Sequence, residues 1–482
     1  MIQLQPVPAP RHFTDVAPVL LTDATLLERK NKVLTRMNEA GFDALVIYAD
    51  KEHGGNFEYL TGFVPRFEEG LLILDKSGAA TAILGNENLK MAQHSRIPVT
   101  LKHCPLFSLP NQPMENETSL EMLFSETGLH RLNRIGLVGW KMFTATRADN
   151  TQLFDLPYFI VEAIKNSTDA QLVNAAHLFI CGDNGARVTN NENEIAHYEY
   201  GANLASGCML QAMNAVEPGI RETDLGALLA AEGQYQTVVT IAAAGQRFEK
   251  ANFYPTYKKL ERGQPLSMTT AFKGGLSSRT GFVIADESEQ PESQKDYLDR
   301  VAKPYFAAVA SWLETIRIGM PGGELYAHIE QVLNKAQYGW HLNPGHLSAD
   351  EEWLSSPVYP HSAETLKSGM ILQIDIIPSV PGYTGVSAEE SIALADAALQ
   401  NRIQTAYPAL WMRIVTRRTY IREVLKIKLA DEVIPLSNTV AYLRPFLLAK
   451  EKAFTCCDVF LPRSMEGPGI TLVGGDYDQN PG

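Results

Sequence analysis

No stretch of the 482 residues approaches the roughly 18 consecutive apolar residues of a membrane-spanning helix, so no span is expected. Lys/Arg runs are also missing. The 42 basic and 55 acidic side chains give a formal charge of −13, which argues against a nucleic-acid partner. The start, MIQLQPVPAPRHFTDVAPVLL, is punctuated by Pro and lacks both a basic opening and an apolar core, so a secretory signal is not expected. Cysteine is scarce: Cys104, Cys181, Cys208, Cys456 and Cys457 are odd in number and show no CxxC or zinc-like spacing. Buried or free thiols in a reducing cytoplasm are the expectation. The chain has no GxGxxG after a strand, no Walker loop, no HExxH and no GxSxG. What is present is an ordinary globular balance, 45% hydrophobic and 20% charged, in a chain long enough for two to three domains.

The first 150 or so residues alternate helical and strand patterns. Thr22-Asp23 can cap a helix with Leu26, Leu27, Val33, Leu34 and Met37 at helical spacing, and Gly41 stops it. ALVIYA (44–49), LLILD (71–75), ATAIL (80–84) and IGLVG (135–139) read as buried strands, so an α/β domain is expected over 1–160. Residues 105–130 read as an irregular surface excursion. An α+β domain is expected over 161–455, with helices at about 168–181, 192–215, 222–232, 293–315 and 322–336. Its strands are VVTIAAA (238–244), LSMTTAF (266–272) and ILQIDII (371–377). EPGIRETDL (217–225) and IRIGMPGGEL (316–325) align Gly219, Asp224 and Leu225 with Gly319, Glu324 and Leu325, either as two unrelated helix–Gly turn–helix units or as a repeat that makes the domain two related halves around a cleft. The basic helix after residue 411 is expected to dock with a solvated face, and 456–482 to form a flexible tail.

The informative stretch is 339–390: NPGHL (343–347), WLSSPVYPH (353–361), LKSGMILQIDIIPSVPGY (366–383) and GVSAEESIAL (385–394). In order and spacing it resembles the second half of the pita-bread family, which includes creatinase, aminopeptidase P, prolidase and methionine aminopeptidase. The resemblance extends back through Lys165-Asn166-Ser167 as a helix opening. NFEYLTGF (56–63) and RFEEGLLIL (66–74) resemble the N-terminal domain shared by creatinase and aminopeptidase P. The resemblance implies an α/β N-terminal domain followed by a pita-bread domain with an internal pseudo-twofold repeat, and a homodimer.

The family's peptidases hold two divalent metals with two Asp, one His and two Glu. By resemblance His346 matches the His, Asp375 stands for one Glu and Glu389 matches the other. The two Asp are missing. Arg279 falls at the second Asp position and Met268 near the first, and no Asp or Glu occurs from Arg262 to Ala285. A permanently charged Arg279 is expected to lie between Asp375 and Glu389 in place of a cation. Creatinase, the metal-free precedent, uses an acid/base His that would fall near Asn252, but no His lies between His197 and His328. Arg66 is expected either as a surface charge or to reach a neighbour's cleft, while Trp353 and His361 are candidates to line the cleft.

The expected function is therefore a metal-independent, creatinase/aminopeptidase P-like hydrolase that cleaves a C–N bond in a small molecule or short peptide. His346, Asp375 and Glu389 are its expected catalytic residues, and Arg279, Glu390, Asn252 and Arg66 its expected substrate-binding residues. No cofactor is expected. Two alternatives stay open: a non-catalytic family member that binds a ligand or scaffolds a partner, and a hydrolase with one Mn, Zn or Co ion on His346, Asp375 and Glu389.

Overall fold

Thr22 accepts a hydrogen bond from the Thr25 amide at 3.2 Å and opens a helix over Asp23–Glu39, in which Leu26, Val33 and Met37 are buried. The computed structural model describes residues 1–115, 117–245 and 254–457. Six strands form the N-terminal sheet in the order Thr100–His103, Ala80–Leu84, Gly70–Asp75, Ala44–Ala49, Arg134–Val138 and Gln171–Asn174. Ala44–Ala49 runs parallel to Arg134–Val138 and antiparallel to Gly70–Asp75. Its side chains alternate between two apolar clusters: Leu45 and Ile47 on one face, Ala44, Val46 and Tyr48 on the other. That double burial is why ALVIYA is apolar throughout.

Three local expectations are corrected. Residues 168–181 do not form one helix, because Gln171–Asn174 is a strand whose Leu172 and Val173 pair with Ile135 and Gly136. Lys165-Asn166-Ser167 ends a helix instead of opening one: Pro157 precedes a helix over Tyr158–Ser167 that buries Ile160, Val161 and Ile164. Within 105–130, Ser119 caps a helix over Leu120–Glu126 that buries Leu120, Leu123 and Phe124. The sheet runs to Asn174, so residue 160 falls inside this layer. Ile2–Pro6 pairs with Lys452–Cys456 and ties the start of the chain to the C-terminal half. From residue 458 on, the expected tail lies outside the described residues.

Among the described residues, the C-terminal half holds two four-stranded sheets. One has the order Ser387–Glu389, Gly275–Phe282, Pro265–Phe272, Ile241–Ala244; the other His346–Leu347, Ile371–Gln373, Ser391–Leu394, Val433–Pro435. The repeat is visible in the backbone. Gly219 N donates to Leu260 O and Gly319 N to Leu366 O, each at 2.8 Å, and both glycines have positive φ. Arg221 bridges to Lys259 as Pro321 does to Thr365. The helix Glu192–Ala215 starts at a capping box of Asn191 and Glu194 and packs on the hairpin 265–282. The basic helix Pro408–Thr419 is not simply solvated on its charged side: Arg413 and Arg417 both pair with the buried Glu199, at 2.5 and 2.7 Å. Among the described residues no helix is long and apolar enough to cross a membrane.

Candidate active site

The two sheets bring His346, at the start of one strand, towards Glu389, at the end of another. His346 is fully buried. Its Nδ1 lies 3.1 Å from the Leu347 carbonyl, and its ring stacks on Trp353 with centroids 4.1 Å apart and planes at 27°. Its Nε2 lies 3.1 Å from Glu352 Oε1, at an angle too oblique for a well-formed hydrogen bond, and 3.8 Å from Asp375 Oδ2. Burial alone would pull the imidazole pKa down, but Glu352 and then Asp375 outweigh it and leave the ring more basic than usual. Burial pushes the Asp375 carboxyl up to about 6; His346 offsets part of that effect and Glu352 adds to it. Glu389 is pushed up further, first by burial and then by Asp375 and Glu352, with Arg279 offsetting only in part.

Glu352 was not singled out from the sequence. Its signal was there: Asp350-Glu351-Glu352 is an acidic run placed between the apolar segments of the strand and loop that carry His346 and Trp353. The strand itself ends at Gln373, so Asp375 sits in irregular backbone beyond it, with Oδ1 accepting no hydrogen bond from the described residues.

The expected place of Arg279 is corrected. In the antiparallel register Arg279 faces Ala388, and it is Ser278 that faces Glu389. Strand alternation therefore turns the guanidinium away from the Glu389 side chain. Arg279 pairs instead with Glu390, Nη2 to Oε1 2.7 Å, and donates to the carbonyls of Tyr442, Thr439 and Ser278 at 2.9, 2.6 and 2.7 Å. Ser277 and Thr439 hydroxyls complete the shell of Glu390. Both charges are fully buried and bound to each other, an arrangement that serves packing and not ligand contact.

The face shared with Glu389 carries hydroxyls and no carboxylate from the hairpin. Thr269 donates to Ser278 at 2.9 Å and Thr280 to Ser267 at 3.0 Å, and Ser387 lies 3.1 Å from Ser278 and 3.3 Å from Thr280. These groups satisfy one another. A two-metal centre does not fit this donor set, because no carboxylate on the hairpin can bridge two cations. Among the described residues, no group of three His, Cys, Asp or Glu side chains is arranged to hold one metal ion.

In front of Glu352 and Trp353 opens a cavity of about 640 Å³ between the two domains. Its N-terminal wall includes Lys51, Glu58, Arg66 and Trp140, and its C-terminal wall includes Tyr235, Lys273 and Asp350. Arg66 is exposed at this rim, so it lines the cleft of its own chain, with its guanidinium 5.7 Å from the Phe67 ring. Trp353 lines the cavity; His361 does not, and sits exposed on a turn at φ +61°. Asn252 lies outside the described residues. The five cysteines are all free.

Residues 196–396 match the family model for Metallopeptidase family M24. No curated protein matches the sequence. Among solved structures, the chain is similar to the Xaa-Pro dipeptidase from Bacillus anthracis at 16% identity and TM-score 0.58, over 77% of this chain and 96% of that one. It is similar to the prolidase from Pyrococcus horikoshii at 20% identity and TM-score 0.58, over 76% and 95%. The dipeptidase PepE from Mycobacterium ulcerans matches at 16% identity and TM-score 0.60, over 78% and 94%. The pita-bread fold with its N-terminal domain, expected from the motif order, is thus the fold of this chain, and its C-terminal half carries the M24 sequence pattern.

Proposed function

We propose that this protein is a metal-independent hydrolase of M24 descent that cleaves a C–N bond in a small molecule or short peptide. One observation carries the reading: Glu352 lines the interdomain cavity and contacts His346 behind it at 3.1 Å, while the hairpin that would hold metals offers only hydroxyls. Glu352 is placed to take a proton from a water that attacks the carbonyl or amidine carbon. The C–N bond then breaks, and the departing nitrogen receives that proton from the Glu352 carboxyl. His346 beside Glu352 holds that carboxylate towards the cavity, and Asp375 supports the ring from behind at 3.8 Å. Arg66 and Lys51 stand at the rim, where they can meet an anionic end of the substrate. A cytoplasmic homodimer remains part of the proposal, by analogy with the family.

A second reading has its own support. His346 is wholly covered by Trp353 and Glu352, as suits a ligand-binding protein without turnover. Metal content by plasma mass spectrometry, before and after dialysis against Mn, Zn and Co, together with turnover of an amide and dipeptide library, separates the readings. The hydrolase reading expects less than about 0.1 equivalent of metal and turnover that falls at least about a hundredfold in Glu352→Gln and His346→Ala. No turnover of any library member selects the binding protein. One tightly held equivalent that is lost in His346→Ala selects a one-metal enzyme.

A further inference from the structure

The floor of the interdomain cavity is an ionic network that is one cation short. Arg29 pairs with Glu194 at 2.6 Å, Arg187 with Glu351, and Lys273 with Glu58. Asp350 is the fourth carboxylate and has no cation of its own: Oδ1 is 3.8 Å from Lys273 and Oδ2 3.6 Å from Arg187, both beyond hydrogen-bond distance. Three cations thus face four carboxylates. The imbalance shows on Glu58, whose carboxyl is pushed up first by burial and then by Asp350. Asp350 itself stays ionised, because the three cations outweigh the cost of its burial.

Asp350 is 7% exposed, lines the cavity, and its Oδ2 accepts no hydrogen bond from any described residue. A buried, ionised carboxylate oxygen without a donor is costly unless something from outside supplies one. Trp140 and Trp353 line the same cavity, and aromatic faces favour a cation over a neutral group. Lys51 and Arg66 are exposed at the rim. The cavity is therefore acidic at its floor and basic at its mouth.

We infer that the cavity binds a small molecule through a cationic, hydrogen-bond-donating group, an ammonium or guanidinium, which Asp350 Oδ2 receives between Trp140 and Trp353. The inference takes this cavity as the substrate site of the proposed hydrolase, with Asp350 anchoring the cationic group two residues from Glu352. It concerns binding alone, so inert probes test it apart from turnover.

The experiment titrates the full chain with n-butylammonium, n-butylguanidinium and the uncharged butyramide, read by calorimetry and by tryptophan fluorescence. Saturable binding of at least one cation below roughly 10 mM is expected, within reach of so small a ligand. Butyramide is expected not to bind, and the cation to bind at least about tenfold more weakly to Asp350→Asn. That variant leaves three cations facing three carboxylates, so the fold is expected to tolerate it. If it nevertheless fails to fold, Trp140→Leu, outside the ionic network, carries the test with the same expected tenfold loss. Undiminished cation binding in the variant that folds, or no saturable binding of either cation, overturns the inference. Cation binding without turnover of any substrate would leave the inference standing and sink the hydrolase.

Discussion

At the scale of single residues, the site is defined by where its charges find partners. Arg279 and Glu390 close on each other on one side of the strand, and the hydroxyls of Ser267, Thr269, Ser278, Thr280 and Ser387 close on each other on the opposite side. This leaves His346, Glu352, Asp375 and Glu389 as one base among three acids. Asp375 carries a measurable consequence. Its carboxyl is buried and pushed from the ordinary value near 3.9 up to about 6. The protonated form favours the fold, so its contribution is complete below about pH 4. It is lost as pH rises through about 6. Asp375→Asn cannot ionise and is spared that loss. Urea unfolding at pH 4 and pH 7 is expected to show wild type losing roughly 2–3 kcal/mol relative to the variant between the two values. A difference that stays constant with pH would mean that Asp375 is ionised at both.

At the scale of elements, the hairpin 265–282 shows what holds the cavity wall in place. Gly274 turns at φ +94°, and a Cβ there would lie 2.4 Å from the Tyr198 carbonyl of the long helix. A side chain is excluded both by conformation and by space, so the turn can press Lys273 against Glu58 and Asp350. Gly274→Ala is expected to cost more than about 1 kcal/mol in denaturant unfolding, and to weaken the cavity through displacement of Lys273; an unchanged midpoint would show that the helix gives way. How far such elements could be read from sequence follows from what each depends on. ALVIYA, the helix at 192–215 and the paired Gly219 and Gly319 turns carry their patterns locally, and the structure has them. Gln171–Asn174 did not, because its identity as a strand comes from pairing with Arg134–Leu137, a partner distant in sequence. Motif order singled out His346, Asp375 and Glu389, and the structure brings His346 within 3.8 Å of Asp375. The side to which Arg279 points was not legible in that order, because a one-residue register decides it. Glu352 was missed because it acquires meaning only when the loop folds Trp353 over His346.

At the scale of the whole molecule, the same charges that shape the cavity join the two domains. Arg187 belongs to the segment that enters the C-terminal half, yet it donates to Asn56 of the N-terminal domain at 2.9 Å and holds Glu351 beside Gly55. It is fully buried with its guanidinium 5.8 Å from the Tyr59 ring, and Arg29 reaches across in the other direction to Glu194 and Tyr198. A cavity that draws its walls from both domains keeps its shape only while these contacts hold them in register. Removing Arg187 leaves the buried Asp350 and the partly buried Glu351 with Lys273 as their nearest remaining cation, and breaking a buried pair in this way costs about 3–5 kcal/mol. Arg187→Met is therefore expected to lower the thermal midpoint by roughly 3–5 °C. Wild type is expected to melt in one calorimetric transition and Arg187→Met in two, as the domains uncouple. Arg187→Lys keeps the charge but not the fork, so its midpoint should fall between the two. An Arg187→Met protein that melts in one transition at the wild-type temperature would show that apolar packing alone joins the domains, and that the charged floor of the cavity is there for its ligand.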